Sequence, residues 1–568
     1  MGWDAMFLKA YGCAFVFLCC AASALAQNQL PIDRELSRER QERLLQEQQR
    51  RLDELQSLQG LELGTPSLPA DDSAACIQVQ TIELDGTSVL SLRQRTQLLE
   101  PFIEQCLTAN DLNRLLSAIT HAYLKRGYVT TRAYLPQQDL QDGVLHIQVI
   151  EGRLESIDGG DLSSALETSM SSPAQLGERL NLRELEQLID QLSRLPSRQV
   201  SMELAPGDEV GGSHVVLQGQ KLKPWRVALN RHNDGQRSTG EQQWGLNFVW
   251  DSPLGLADQL SLRGSGDTVS DQYKHSATHG LSYSLPYGWW TFNYFYNHSY
   301  YRTKTQGQGF SFVLDGVSTT QALSAERVLH RDAVSKTAFS VGLNHLRSRN
   351  YLDNQRLDVS SQRLTEQQIS FNHGRRIGSS FINFDLGYQR GIGALDAQRA
   401  GRPQGWQPVA RYNKYTVTAS YLQPFQLLGE RFSFDSVFSA QRSEDVLFSP
   451  QRFSLGGLYS IRGFKDQSVT GDSGYYLRNQ LRWTRPVGLE WLRPVVQEYS
   501  LTAAYDMGAS RGDKYNKEQS GRLASHAFEL SARGQHLAAS VTAAHTLSRP
   551  NAIERKERPI YFRFDVFF

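Results

Sequence analysis

From Pro224 to the last residue, apolar and polar positions alternate in short runs. In WTFNYFYNHSY, Trp290, Phe292, Tyr294 and Tyr296 share one face, and Thr291, Asn293 and Asn297 the other. LTAAYDMG sets Leu501, Ala503, Tyr505 and Met507 against Thr502, Ala504, Asp506 and Gly508. The terminal PIYFRFDVFF sets Ile560, Phe562, Phe564, Val566 and Phe568 against Tyr561, Arg563 and Asp565. A period of two predicts β-strands with one apolar and one polar face. Apolar-out, polar-in alternation with aromatics near strand ends fits the wall of a transmembrane β-barrel, and 16 strands would take about 22 residues each with their connections. A soluble β-sandwich alternates too; the length of the region, a secretory leader and the terminal aromatic favour the barrel.

Ahead of Pro224 the period changes. Residues 31–59 are dominated by good helix formers, with Glu39/Arg43 and Glu47/Arg51 at the favourable i,i+4 spacing. Apolar residues there are too sparse to bury a face, so the helix must lie in water or fill a wet cavity. It would span about 42 Å, more than the apolar core of a bilayer. A linker, GTPSLPADDSAA, follows. From Cys76 the pattern is strand, helix, helix, strand, strand: IQVQTIEL is one strand, and NDLNRLLSAITHAYLKRG is an amphipathic helix capped at Asn110 or Asp111 and closed by Gly127. YVTTRAYLP and DGVLHIQVIEG read as strands, and a second module repeats the theme with the helix NLRELEQLIDQLSRL and the strands RQVSMELAPG and SHVVLQGQ. The expected units are 1–26, a signal peptide; 27–60, the helix; 61–75, a linker; 76–152 and 153–222, two α+β modules; and 223–568, the barrel.

Charge and cysteines sharpen this. Lys+Arg 60 against Asp+Glu 59 leaves a net charge of +1 on 568 residues, which argues against a nucleic-acid binder. Lys9, an apolar stretch and Ala24-Leu25-Ala26 before Gln27 form a signal peptide, which would carry away three of five cysteines. Cys76 and Cys106 would then pair in an oxidising compartment, closing a loop worth ~3 kcal/mol in the chain-entropy model. No later run is apolar enough for a membrane-spanning helix.

Over nearly its whole length the chain resembles the outer-membrane transporters of two-partner secretion, the TpsB family of the BamA-like superfamily. VLHIQVIEGRLESI resembles the end of that family's first POTRA module, and NRHNDGQRSTGEQQWGLNFVWDSPLGLADQLSL its first barrel strands. SIRGF is similar to the V-R-G-F/Y signature with Ile461 in place of valine, and AYDMG to the F/G-x-D-x-G motif with Ala504 first. The resemblance implies a plug helix, two POTRA modules and a 16-stranded barrel. It implies that the loop of Ile461, Arg462, Gly463 and Phe464 folds into the lumen, where Arg462 meets Asp506, near Gly508, on the wall. Gly463 would let the backbone turn, Phe464 would pack against the wall, and the guanidinium would offer Asp506 a bidentate fork. Phe568 is expected to be the C-terminal assembly signal.

The implied activity is passage of a large unfolded exoprotein (a haemolysin, an adhesin or a contact-dependent growth-inhibition toxin) across the outer membrane, with the modules in the periplasm. The expected partners are that exoprotein, the lipid bilayer with its lipopolysaccharide, and the barrel assembly machinery. A monomer is expected, with no cofactor, no metal and no nucleic acid. Rival readings are a general barrel-assembly factor and a diffusion porin or receptor. GDSG (471–474) and TAAH (542–545) match protease segments in the wrong order for a serine protease. His275 and His279 lack a third metal ligand; RGD (511–513) reads as a polar loop, and no catalytic set emerges.

Overall fold

The structure, a computed structural model, describes residues 30–58, 76–269, 271–306, 310–398, 407–511 and 520–568. The signal peptide, the linker and all of the RGD segment beyond Arg511 lie outside the described residues.

Helix α1 (Pro31–Ser57) starts on a proline, whose missing N–H costs nothing in a first turn. The first module contains β1 (Cys76–Val79), β2 (Thr81–Asp85), α2 (Leu92–Leu99), β3 (Gln105–Thr108), α3 (Ala109–Leu124), β4 (Arg132–Tyr134) and β5 (Val144–Ile150). IQVQTIEL is therefore two strands rather than one. β1 pairs antiparallel with β3, whereas β2 pairs parallel with β5. The break falls at Gln80, whose N–H and that of Thr81 both turn to the carbonyl of Gly143. Helix α3 begins a little earlier than its sequence suggests, with Thr108 as the cap: the N–H of Asp111 donates to Thr108 Oγ1 at 3.2 Å, and the Asp111 carboxylate accepts from the N–H of Thr108 at 3.1 Å. Only Arg132–Tyr134 of YVTTRAYLP is strand. Leu115, Ile119 and Tyr123 of α3 pack on Leu145, Ile147 and Val149 of β5 to make the core.

Cys76 and Cys106 are joined by a disulfide across the β1–β3 ladder, with Cα atoms 5.3 Å apart. Closing about 30 residues stabilises this module by about 3–4 kcal/mol in the chain-entropy model. Cys76→Ser should lower its urea midpoint under oxidising conditions and leave it unchanged in dithiothreitol; equal midpoints for both proteins when oxidised would remove that role.

The second module contains β6 (Arg153–Asp158), α4 (Ala165–Ser171), α5 (Leu182–Ser193), β7 (Arg198–Pro206) and β8 (Gly212–Lys221), with sheet order β6-β8-β7. Helix α4 escaped the sequence reading because it has seven residues, although its capping box of Ser164 and Glu167 is visible in the sequence. Leu185, Leu188 and Leu192 of α5 bury against Val200, Val215 and Leu217, and Val129 of the first module joins the same cluster.

Glu151 ties the modules together. Its carboxylate accepts from Ser88 N (2.7 Å), Val89 N (3.1 Å) and Tyr123 Oη (2.8 Å), and Arg179 of the second module lies 3.5 Å away. Burial alone would push the carboxyl up; the hydrogen bonds from Ser88, Tyr123 and Val89 outweigh it and hold it at about 2, below its ordinary 4.5. A lowered folded-state value means stability present above pH 4.5 and lost as the pH falls through about 2. Between those limits the soluble two-module fragment should melt progressively lower, and Glu151→Gln should flatten that part of the curve. Identical pH profiles for both proteins would contradict this role.

The remaining residues form sixteen spanning strands, from Trp225–His232 to Ile560–Phe567, each antiparallel to its neighbour. A two-residue strand, Gln355–Arg356, extends one hairpin. The last strand pairs with the first from Arg563↔His232 to Phe567↔Ala228 and closes the cylinder. Phe568 completes the seam, donating its N–H to the carbonyl of Val227 at 2.9 Å. The alternation has the expected sense: Leu501, Tyr505 and Met507 are exposed outward, and Thr502, Asp506 and Ser510 are buried inward. Helix α5 of the second module docks on one barrel end, where Gln187 and Gln191 donate to the carbonyl of Gly288 and Arg331 meets Asp190 at 3.2 Å.

Candidate functional site

Among the described residues the lumen holds two inserted elements, helix α1 and the loop after Phe453–Leu455. The helix is polar nearly all round; Leu44 and Leu45 at its middle are only partly buried, and its buried apolar residues sit towards its two ends. Ile32 and Leu36 pack on Tyr301, Leu314 and Leu346 at the end of the barrel far from the modules. Leu52, Leu55 and Leu58 pack on Phe381 and Leu422 at the module end. Sequence reasoning passed over these anchors because they form no continuous stripe.

Between the anchors the helix is held by polar contacts. Glu39 accepts two bonds from Asn297 Nδ2, at 2.9 and 2.8 Å. Gln48 donates to Asp385 at 2.7 Å and accepts from Asn383 and Ser420. Arg38 meets Asp234 at 3.3 Å, Arg51 grips Glu326, and Arg43 stacks over Phe295 at 4.2 Å. Lys336 lies 3.4 Å from Glu54 and 3.5 Å from Asp190, and so links the helix to α5 of the second module. A cavity of about 1370 Å³ runs beside the helix, lined by Arg43, Glu47, Glu54, Asp190 and residues Arg198–Met202 of β7.

The loop enters through a small hairpin, Phe453–Leu455 paired with Val469–Gly471. Leu455, Ile461, Phe464 and Val469 bury against Tyr476, Leu523 and Ile553. Arg462 Nε lies 3.4 Å from Asp506 Oδ2, and the Arg462 backbone N–H donates to the same oxygen at 3.1 Å. Its Nη2 donates to Gln480 at 3.0 Å, so the guanidinium is divided between two acceptors instead of forking onto one carboxylate. The pair is buried, with side chains 4 % and 0 % exposed.

Gly463 acts differently from expectation. The turn conformations fall at Gly456 and Gly457, with φ of +129° and +100°. Gly463 allows close approach: a Cβ there would lie 2.4 Å from Ser525 Cβ. Its N–H donates to Ser525 Oγ and its carbonyl accepts from Thr546. A Cβ on Gly508 would lie 2.6 Å from the Tyr475 carbonyl and 3.0 Å from Ile461, so this wall glycine makes room for the loop. Tyr561 donates to the Arg462 carbonyl at 3.0 Å, and Glu557 accepts from Lys465 N and Asp466 N. Gln480, Ser525, Thr546, Glu557 and Tyr561 were not singled out in the sequence, since only the folded barrel brings them to one place.

Helix and loop also touch each other. Arg34 donates to the Asp466 carbonyl of the loop at 2.8 Å and Gln41 to the Ser454 carbonyl of its hairpin at 2.7 Å, while Arg40 donates to the Pro450 carbonyl just ahead of that hairpin at 2.5 Å. His275 pairs with Asp267 at 2.6 Å, whereas His279 lies opposite Gly264 and His298.

Residues 211–532 match the family "Haemolysin secretion/activation protein ShlB/FhaC/HecB", residues 77–152 match "POTRA domain, ShlB-type", and residues 139–206 match "POTRA domain". The outer membrane transporter CdiB of Escherichia coli is 34% identical over 95% of this chain and 90% of its own. The hemolysin transporter protein ShlB of Serratia marcescens is 32% identical over 79% of each chain. Among solved structures, CdiB from Escherichia coli superposes with a TM-score of 0.89 at 33% identity, covering 95% of this chain and 99% of that one.

Proposed function

The chain belongs to the ShlB/FhaC/HecB family of haemolysin secretion/activation proteins, and on that premise we propose how this member moves its client. It is a two-partner secretion transporter of the outer membrane with its POTRA modules in the periplasm, and it translocates a secreted exoprotein. The client is a large haemolysin, adhesin or contact-dependent inhibition toxin, and it crosses unfolded. A single chain works as a monomer in a bilayer faced with lipopolysaccharide, delivered there by the barrel assembly machinery; no catalytic step is involved.

One observation carries the mechanism: a polar helix lies along the lumen, held chiefly by contacts that water can replace. Such a helix can leave without exposing a large apolar surface. The client is captured as an added strand on the free edge of β7, which is terminal in its sheet. Residues Arg198–Met202 of that strand line the cavity beside α1, so a strand added there already points at the lumen. Asp190 and Lys336 connect this module to the helix, giving client binding a route to plug release.

Deleting the gene and restoring it in trans should abolish and then recover extracellular accumulation of one very large secreted protein, with the other outer-membrane proteins at normal levels. Broad loss of those proteins would instead support an assembly factor, and altered solute uptake alone a porin.

A further inference from the structure

Three arginines stand on the outside of the wall where its apolar surface ends. On strand Ser335–Leu352, Leu346, Ser348 and Asn350 are buried, while Arg347 and Arg349 between them are exposed. Leu346 packs on Ile32 and Leu36 of the lumenal helix, which fixes the alternation: the arginines face outward. The adjacent strand Gln362–Ile377 places Arg363, also exposed, directly opposite Arg347. Toward the periplasm the same outer faces carry Val341, Leu343, Ile369 and Phe371. From Leu343 to Arg347 is about 13 Å along the strand. The arginines therefore lie at the extracellular border of the lipid-facing band.

Like charges directly opposite on neighbouring strands destabilise a sheet. Asp396 contacts Arg363. Among the described residues no carboxylate pairs with Arg347 or Arg349, and the positions across from them on the other side are Thr319 and Val317. With Asp396 relieving that repulsion on the Arg363 side alone, the charges of Arg347 and Arg349 at the level of lipid headgroups fit an anionic headgroup. We propose that Arg347, Arg349 and Arg363 hold the phosphates of a phosphorylated glycolipid of the outer leaflet, the lipid A part of lipopolysaccharide. Guanidinium forks match phosphate oxygens, and two of them one strand apart can bracket one phosphate. The acyl chains then run down Val341, Leu343, Ile369 and Phe371. The assignment rests on the outer-membrane reading and is independent of the client.

The test uses delipidated full-length protein in detergent, incubated with bisphosphorylated lipid A or with fully dephosphorylated lipid A, and native mass spectrometry of what stays bound. The wild type should retain the bisphosphorylated form about tenfold better, and Arg347→Ser/Arg349→Ser should lose that preference. Heat-dependent gel mobility verifies that each variant is folded, and Arg347→Gln alone serves if the double variant is not. Equal retention of the two lipids, or an unchanged preference in a folded variant, overturns the proposal. Displacement by millimolar inorganic phosphate also overturns it, since the site would then be a simple anion site. Failure to retain either lipid, with no heat-dependent mobility, would instead sink the membrane reading on which it rests.

Discussion

Arg462→Ala is expected to reduce export about tenfold or more while the barrel still assembles and keeps its heat-dependent mobility. The arginine is buried with Asp506, and removing one partner of such a pair leaves an uncompensated charge, a cost of about 3–5 kcal/mol. That energy is localised. Ile461 and Phe464 still pack in their apolar cluster, and the sixteen-strand ladder closes without help from the loop. The loop therefore loses its register before the barrel loses its fold. Because Arg34 hangs on the Asp466 carbonyl of this loop and Gln41 on the Ser454 carbonyl of the hairpin that carries it, a loosened loop also misplaces the plug helix. Arg462→Lys should be intermediate, as one ammonium cannot serve Asp506 and Gln480 from the same position. Pairing Arg462→Ala with Asp506→Ala removes the stranded carboxylate and should restore much of the stability without restoring export. Wild-type export by folded Arg462→Ala would remove the loop from the mechanism.

The barrel was legible because its constraint is local: lipid outside and water inside impose a period of two that single strands such as LTAAYDMG display on their own. The same phase put Asp506 inside before any partner was known. Arg462 was different, since nothing in its own stretch distinguishes an inward loop from a surface turn, and only the resemblance singled it out. What stayed hidden depends on closure. Gln480, Ser525, Thr546 and Tyr561 come from four strands and meet at Arg462 and Gly463 only when the sheet is a cylinder. Gly463 was read as a turn residue because glycine in a loop usually is; its neighbours show that it is there for contact with Ser525. The splitting of IQVQTIEL at Gln80 was equally unreadable, since both halves carry strand residues and differ only in the strands they pair with.

Removal of residues 31–59 should turn a nearly closed protein into a steadily conducting pore in planar bilayers. A cylinder of sixteen strands belongs to the size class that leaves an aqueous channel when nothing fills it, and here α1 runs from the Ile32 anchor at one end to the Leu55 anchor at the other. Its deletion removes the principal occupant of the lumen and leaves the inward loop in place, so the expected conductance is substantial but below that of an empty barrel. Point changes should grade the effect. Arg51→Met strands Glu326, and Lys336→Met cuts the link among Glu54, Asp190 and the wall. Each 1.4 kcal/mol taken from the resting state raises the open fraction about tenfold until it saturates. These variants should flicker where the deletion conducts continuously, and high salt should raise opening in the wild type by screening the same ion pairs. Unchanged conductance in the folded deletion variant would show that the helix is not what closes the pore, and the route from client capture to plug release would fall with it.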